Sequence, residues 1–196
     1  MALIIVCSHP IRFAYLQGKH FVIHIGLLIG LMTFYPLFSM LLMRALKIID
    51  SIELEDRKMR FIPMIAVATF WLLAFLMYMP NGKTVFSSNI VLSNMILGSV
   101  IAVFLAFFFN ALQKISFHTI GMGGLVGMLL QIIPTAKVNL VGFFIAAIIL
   151  AGVVGSARLY LDAHTKSEVY GGFLIGFFAQ FIAYTMYDKI TMILPF

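Results

Sequence analysis

The chain has 196 residues, of which 63% are hydrophobic and only 10% are charged. Soluble domains are roughly half apolar and about a quarter charged, so this composition excludes an ordinary soluble domain and indicates a protein embedded in lipid. The net charge of +6 favours contact with lipid headgroups, and no basic run with interleaved aromatic residues favours nucleic acid. The single cysteine, Cys7, excludes an internal disulfide.

Six stretches are apolar and close to the length of about 20 residues that a membrane-spanning helix needs. In chain order they are residues 21–46, 61–79, 90–112, 118–133, 138–154 and 170–187. They predict an all-α fold, a polytopic membrane helix bundle with a short N-terminal segment at 1–20 and a single transmembrane domain at 21–196.

Proline and glycine predict local features within these stretches. Pro36 predicts a tilt or kink in the first helix. The glycine-rich segment 121–124 predicts that the short fourth helix starts below the membrane surface, at the floor of a cavity. Three glycine pairs have the four-residue spacing that lets membrane helices approach closely, although chance explains any single pair equally well; they are Gly26/Gly30, Gly123/Gly127 and Gly172/Gly176.

The charged residues concentrate on one side of the predicted bundle. Six spans place the loops 47–60, 113–117 and 155–169 on a common surface, which we call the polar face. This face receives eight of the 13 basic residues and six of the seven acidic residues. A protein that only spans the membrane has little reason to gather both signs there, so we expect a functional site on the polar face.

The strongest motif lies in the loop 155–169, where Arg158 precedes His164 by six residues and Glu168 follows it by four. The arginine fork can bind phosphate through two hydrogen bonds, and histidine can act as a nucleophile or base near neutral pH. On a helix, Glu168 would lie one turn from His164 and could orient its ring. The alternative is a solvated loop followed by an ordinary glutamate at a helix start.

Two further groups of residues reach the same face. Lys114, Ser116 and His118 precede or open the fourth helix, where a lysine and helix amides favour a bound anion. Arg57 and Arg60 precede the second helix. A histidine at the lipid interface and headgroup anchoring by arginine are the alternatives. Histidine and cysteine spacings typical of zinc are missing, and we expect neither a metal nor another cofactor.

The pattern Arg158-x5-His164-x3-Glu168 resembles the third motif of the type 2 phosphatidic acid phosphatase (PAP2) superfamily, Ser-Arg-x5-His-x3-Asp. The segment Ser116-Phe117-His118 resembles its second motif, Pro-Ser-Gly-His. The likeness covers roughly residues 47–180. Within the superfamily, the chain resembles a divergent branch that is common in Bacteroidetes.

The resemblance implies a membrane phosphatase that acts on a lipid phosphate without a metal. His164 would be the nucleophile that forms a phosphohistidine, Glu168 would orient it, and His118 would protonate the leaving oxygen. Arg158, Lys114, Ser116, Arg57 and Arg60 would bind the phosphate. The substrate would be a phosphatidate, a phosphatidylglycerol phosphate, a polyprenyl diphosphate or a lipid A phosphate, and the only other expected partners are membrane lipids.

The sequence also departs from this pattern. The family's first motif, Lys-x6-Arg-Pro, is not found, Phe117 stands where the family has glycine, and Glu168 replaces aspartate. These departures favour an alternative, a non-catalytic relative that binds lipid phosphate or a partner protein. A prenyl-transferring enzyme is a third hypothesis, suggested by the acidic loop around Asp56.

Cytoplasmic loops of membrane proteins are richer in basic residues than the loops on the other side, so a count of basic residues on each face predicts the orientation of the protein in the membrane. The polar face has eight and the opposite face five, but four of the eight are candidate phosphate ligands, so four remain against five. Together with the resemblance, this predicts a protein of the bacterial inner membrane with the site facing the periplasm and both termini in the cytoplasm.

Overall fold

The computed structural model describes residues 19–51, 58–78, 90–136 and 138–193, and within these ranges the chain forms helices and no strand. The α-helices are α1 (Lys19–Ile29), α2 (Tyr35–Ala45), α3 (Phe61–Tyr78), α4 (Ile90–Leu112), α5 (Phe117–Ile132), α6 (Val141–Tyr160) and α7 (Lys166–Ile193). A π-helical turn at Gly30–Phe34 joins α1 to α2, and 3-10 turns at Lys58–Arg60 and Ile133–Thr135 extend α3 and α5.

Six helices in the described part of the chain have the length and composition needed to cross a membrane. They are 19 to 24 residues long, and α1, the π-helical turn and α2 together make the first of them. The prediction of an all-α bundle with about six transmembrane helices is therefore confirmed, and the protein is an integral membrane protein.

The first spanning helix is irregular where Pro36 predicts it. Proline has no N–H, so a carbonyl one turn earlier loses its partner. The chain responds with a π-helical turn, in which the N–H of Tyr35 donates to the carbonyl of Gly30. The indole Nε1 of Trp71, on α3, donates to the carbonyl of Met32 at 3.1 Å. This bond from a neighbouring helix satisfies the carbonyl that Pro36 leaves without a donor.

Helices α5 and α7 pack backbone against backbone through the predicted glycines. A Cβ atom at Gly123 or Gly176 would clash with a carbonyl oxygen of the facing helix, that of Phe173 or Ile120. A Cβ at Gly127 would lie 2.8 Å from the carbonyl oxygen of Phe177. The pair Gly26/Gly30 differs, because a Cβ at Gly26 would meet open space.

The sequence suggested that the glycine segment 121–124 marks the start of α5, but the helix starts earlier. Helix α5 begins at Phe117, and these glycines lie inside it. Gly123 and Gly124 face α7, whereas Gly121 lines the cavity.

The ends of α6 and α7 bring the site together. Helix α6 continues to Tyr160, six residues beyond the predicted end, so Arg158 lies in its last turn and not in a loop. A cation is favoured there by the negative end of the helix dipole. Asp162 then adopts a left-handed backbone with φ of 49°, and its N–H donates to the carbonyl of Leu159 at 3.1 Å. This turn reverses the chain over the five residues 161–165 before α7 starts.

Candidate active site

His164 is oriented by Glu168 from the first turn of α7. The Nδ1 atom of His164 lies 2.7 Å from Oε2 of Glu168, and the backbone N–H of Thr165 donates to the same oxygen at 3.4 Å. Only 7% of the histidine side chain and 15% of the glutamate side chain are exposed. Because Nδ1 donates to the carboxylate, the neutral ring carries its lone pair on Nε2, the nitrogen that can attack an electrophile.

The surroundings of His164 keep its imidazole neutral near pH 7. Burial lowers the pKa of His164, and the positive charges of Lys114 and Arg60 lower it further, while the hydrogen bond to Glu168 acts in the opposite direction. The unprotonated ring is the nucleophilic form of histidine, so these surroundings favour a nucleophilic His164.

Four cationic or potentially cationic side chains face one cavity together with His164. Arg60 comes from the 3-10 turn before α3, Lys114 from the loop before α5, His118 from the first turn of α5, and Arg158 from α6. They converge from three separate parts of the chain on the mouth of the cavity. Such a group stabilises a bound anion and the charge that develops in phosphoryl transfer.

Two of these cations also hold the backbone of the site. Arg60 is 4% exposed, donates from Nη1 to the carbonyl of Ile115 at 3.0 Å, and its guanidinium lies 5.6 Å from the centre of the Phe117 ring. Lys114 donates from Nζ to the carbonyl of Ala163 at 3.1 Å. These bonds connect the start of α3, the start of α5 and the loop that carries His164.

Arg158 differs from Arg60 and Lys114 in its hydrogen bonding. Its Nε is buried, and no group in the described part of the chain accepts a hydrogen bond from it. A buried guanidinium donor without an acceptor is costly in a folded protein. An anion with oxygens on adjacent corners, such as a phosphate, would satisfy it.

Two predicted site residues within the described part of the chain, Ser116 and Glu168, do not line the cavity. Ser116 is fully buried, its Oγ has no hydrogen-bond partner among the described residues, and its N–H donates to the carbonyl of Glu168 at 3.4 Å. It lies at the contact between α5 and α7, and phosphate binding by its hydroxyl stays a prediction. Glu168 lies behind His164, as its orienting role requires. Arg57 lies outside the described residues.

The cavity continues from this polar mouth into the apolar interior. Its volume is about 1360 Å³, and its deeper wall is formed by apolar side chains of α1, α3 and α4, among them Leu28, Trp71 and Val103. Gln180 of α7 interrupts this wall. Sequence reasoning missed both features, although a glutamine within an apolar spanning helix is the kind of signal that marks a functional position.

Two other residues of the site were not anticipated from the sequence. Asp162 lines the cavity and takes the left-handed backbone that turns the chain between α6 and α7. Phe117, noted only as a departure from glycine, lies under the Arg60 guanidinium. Among the described residues, no group of three or more histidine, cysteine, aspartate or glutamate side chains could hold a metal ion.

One protein family is similar to the second half of the chain. No curated protein and no solved structure matches the chain. Residues 99–192 match the model of the PAP2 superfamily, and this segment contains His118, Arg158, His164 and Glu168 but not Arg60. The matched segment thus carries the histidines and the arginine that line the cavity, and this match over just under half of the chain supports membership in the PAP2 superfamily.

Proposed function

We propose that the protein is a membrane phosphatase that removes phosphate from a lipid phosphate through a phosphohistidine on His164. The observation that carries the proposal is the shape of the cavity, which joins a cationic mouth to a long apolar interior. A phosphate at the mouth and a hydrocarbon chain in the interior match these two environments. The candidate substrates are a phosphatidate, a phosphatidylglycerol phosphate, a polyprenyl diphosphate and a lipid A phosphate.

The reaction proceeds in two steps. In the first, Nε2 of His164 attacks phosphorus, the bond from phosphorus to the lipid oxygen breaks, and His118 gives its proton to that oxygen. In the second, a water molecule attacks the phosphohistidine, gives a proton to His118 and releases inorganic phosphate, which restores both histidines. Glu168 holds the imidazole of His164 through the 2.7 Å contact in both steps.

The charges around the cavity support this chemistry. Phosphoryl transfer depends mainly on positioning and on stabilisation of the phosphoryl oxygens. Arg158 offers an unpaired donor, and Arg60 and Lys114 are fixed by backbone carbonyls at 3.0 and 3.1 Å. A fixed charge needs little reorganisation when the transition state forms.

A non-catalytic lipid-phosphate binder is the second candidate, and the position of Ser116 favours it. Its hydroxyl is buried away from the cavity, so one predicted phosphate ligand does not reach the mouth. A binder would retain the cations and the apolar interior but would release no phosphate.

Phosphate release from a panel of the four lipid phosphates, with and without a chelator, tests the proposal. We expect release from at least one lipid, at the same rate in both conditions. Binding without release from any member would favour the non-catalytic alternative. Activity that disappears in chelator and returns with magnesium would favour a metal-dependent reaction such as prenyl transfer.

The same proposal places the site on the periplasmic side of the bacterial inner membrane. The bonds of Arg60 and Lys114 to site carbonyls support the view that these cations serve the site and should not be counted as topology signals. With Cys7 replaced, a cysteine at exposed Lys166 should react with an impermeant thiol reagent in intact spheroplasts. A cysteine at exposed Val138, on the opposite face, should react only after lysis. The reverse pattern would contradict the orientation.

A further inference from the structure

Gln180 is a polar side chain at depth in a wall that is otherwise largely apolar. It is 4% exposed, it lies in the spanning stretch Lys166–Tyr187, and it lines the cavity. Polar side chains inside membrane helices are rare, and one that lines a cavity marks a site where something polar is bound.

Glycines of two neighbouring helices form a recess around the side chain of Gln180. Its amide group lies against Gly98 of α4, where an added Cβ would be 2.5 Å from Oε1 and 2.7 Å from Nε2. A Cβ added at Gly124 of α5 would lie 3.7 Å from Nε2 of Gln180, and one added at Gly127 would lie 3.4 Å from its Cβ. A side chain at Gly98 would displace the amide, whereas Gly124 and Gly127 leave room for the glutamine at ordinary contact distance, so the recess lies at the junction of α4, α5 and α7.

The depth of this recess below the catalytic mouth follows from helix geometry. Six residues of α5 separate His118 from Gly124, which corresponds to about 9 Å at a rise of 1.5 Å per residue. Twelve residues of α7 separate Glu168 from Gln180, or about 18 Å. A molecule with its phosphorus at His164 and its chain in the cavity would therefore pass Gln180 roughly 9 to 18 Å along its length.

We infer that Gln180 recognises a carbonyl in the lipid part of the substrate, so that the enzyme prefers acylated lipid phosphates with an ester or amide at this distance over polyprenyl diphosphates. This inference rests on the proposed function of the same site. The glutamine amide offers two donors and one acceptor, which suits an ester or amide carbonyl. A polyprenyl chain is pure hydrocarbon and offers the amide no hydrogen-bond partner, and such a difference in hydrogen bonding can discriminate between otherwise similar ligands.

A matched pair of ligands tests the inference directly. The probes are non-hydrolysable phosphonate analogues of phosphatidylglycerol phosphate, one with ester-linked chains and one with ether-linked chains of equal length. They differ only in the carbonyl groups. Their Kd values are measured by titration calorimetry on the full chain in lipid nanodiscs, for the wild type, Gln180→Met and Gln131→Leu. Gln131 is a glutamine of α5 that does not line the cavity, so its variant controls for the loss of a polar side chain.

We expect the wild type and Gln131→Leu to bind the ester roughly three- to tenfold more tightly than the ether, the size of one lost hydrogen bond. In Gln180→Met the ratio should fall to about one. If the wild type binds the ester and the ether with equal affinity, the inference is overturned without any variant. An affinity ratio in Gln180→Met that equals that of the wild type would also overturn it. Ester-selective binding without phosphate release from the natural lipids would contradict the proposed phosphatase activity but would still support carbonyl recognition by Gln180.

Discussion

Two regions of the molecule are built in different ways. The site half, residues 90–136 and 138–193, contains α4 to α7 and packs α5 against α7 through glycines at backbone distance. The wall, residues 19–51 and 58–78, contains α1 to α3, and its first spanning helix includes a π-helical turn tied to α3 by one indole hydrogen bond. Backbone contact leaves little freedom, whereas a π-helical turn held by a side chain can adjust.

Under the proposed function, this difference separates the residues for phosphoryl transfer from those that bind the lipid chain. The site half supplies His118, Arg158 and His164 and is the region that the family model matches from residue 99 onward. The wall supplies Arg60 and much of the apolar lining of the cavity. Changes at the cationic residues or at the close glycine contacts should therefore reduce turnover or stability, whereas changes in the apolar part of the wall should alter the binding of the lipid chain.

The largest expected effect is the loss of turnover in His164→Ala or Arg158→Ala. Each variant removes one catalytic element, the nucleophile or the unpaired phosphate donor, and should lower the rate of phosphate release by about 10²-fold or more. Arg44→Ala, at the exposed end of α2, and Ser167→Ala, at the exposed start of α7, are matched controls that should keep the wild-type rate. Wild-type rates in both site variants would remove His164 and Arg158 from the mechanism.

A second expected effect concerns folding of the site half. Gly176→Ala puts a Cβ against the backbone carbonyl of Ile120, which cannot move aside as a flexible side chain would. We expect a loss of about 1–3 kcal/mol, seen as a lower Tm of the purified protein, because overpacking strains close helix contacts. Gly142→Ala, on α6 with open space around it, should leave Tm nearly unchanged. Equal Tm values for the two variants would contradict the backbone contact.

A third prediction uses the acidic limb of the pH–rate profile. The active form of His164 is neutral and its pKa is lowered, so we expect activity to persist below the ordinary histidine value near 6.5. Glu168→Gln removes an influence that raises the pKa and should move the limb to lower pH. Lys114→Gln removes one that lowers it and should move the limb to higher pH.

The profile is measured as kcat/KM on one lipid phosphate, so that ionisation of the substrate is common to all variants. A shift in the same direction in Glu168→Gln and Lys114→Gln would show that the limb does not report the titration of His164.

The smallest expected effect lies in the wall. Trp71→Phe keeps an aromatic ring but removes the donor to the Met32 carbonyl. We expect a modest loss of stability, about 0.5–1.5 kcal/mol, and a change in KM for long-chain substrates with kcat retained. Trp71→Tyr, a second variant without the indole donor, should behave alike. A fall in kcat as large as that of His164→Ala would break the division between the two regions.

The sequence was sufficient to predict the spanning helices and the contact between His164 and Glu168. Hydropathy reports burial in lipid directly, and a spacing of four residues predicts neighbours on a helix turn. The structure contains this contact as a hydrogen bond of 2.7 Å, with His164 just before α7 and Glu168 in the first turn of that helix.

Other parts of the site depend on packing between distant segments. The end of α6 was placed too early, because the polar stretch around Arg158 reads as a loop although it continues the helix. The position of Phe117 under Arg60 joins residues 57 apart in the chain, and the recess of Gln180 joins three helices. Single-sequence periodicity carries no information on such contacts, so Ser116 was expected at the cavity although it lies behind it.

The most direct test of the account is detection of the covalent intermediate. The protein is mixed with a lipid phosphate, quenched within the first turnover and analysed by peptide mass spectrometry. We expect one phosphoryl group on His164, transient in the wild type and absent in His164→Ala. Rapid release of phosphate in the wild type with the phosphoryl group on another residue, or with none on His164 at any time, would contradict the central claim.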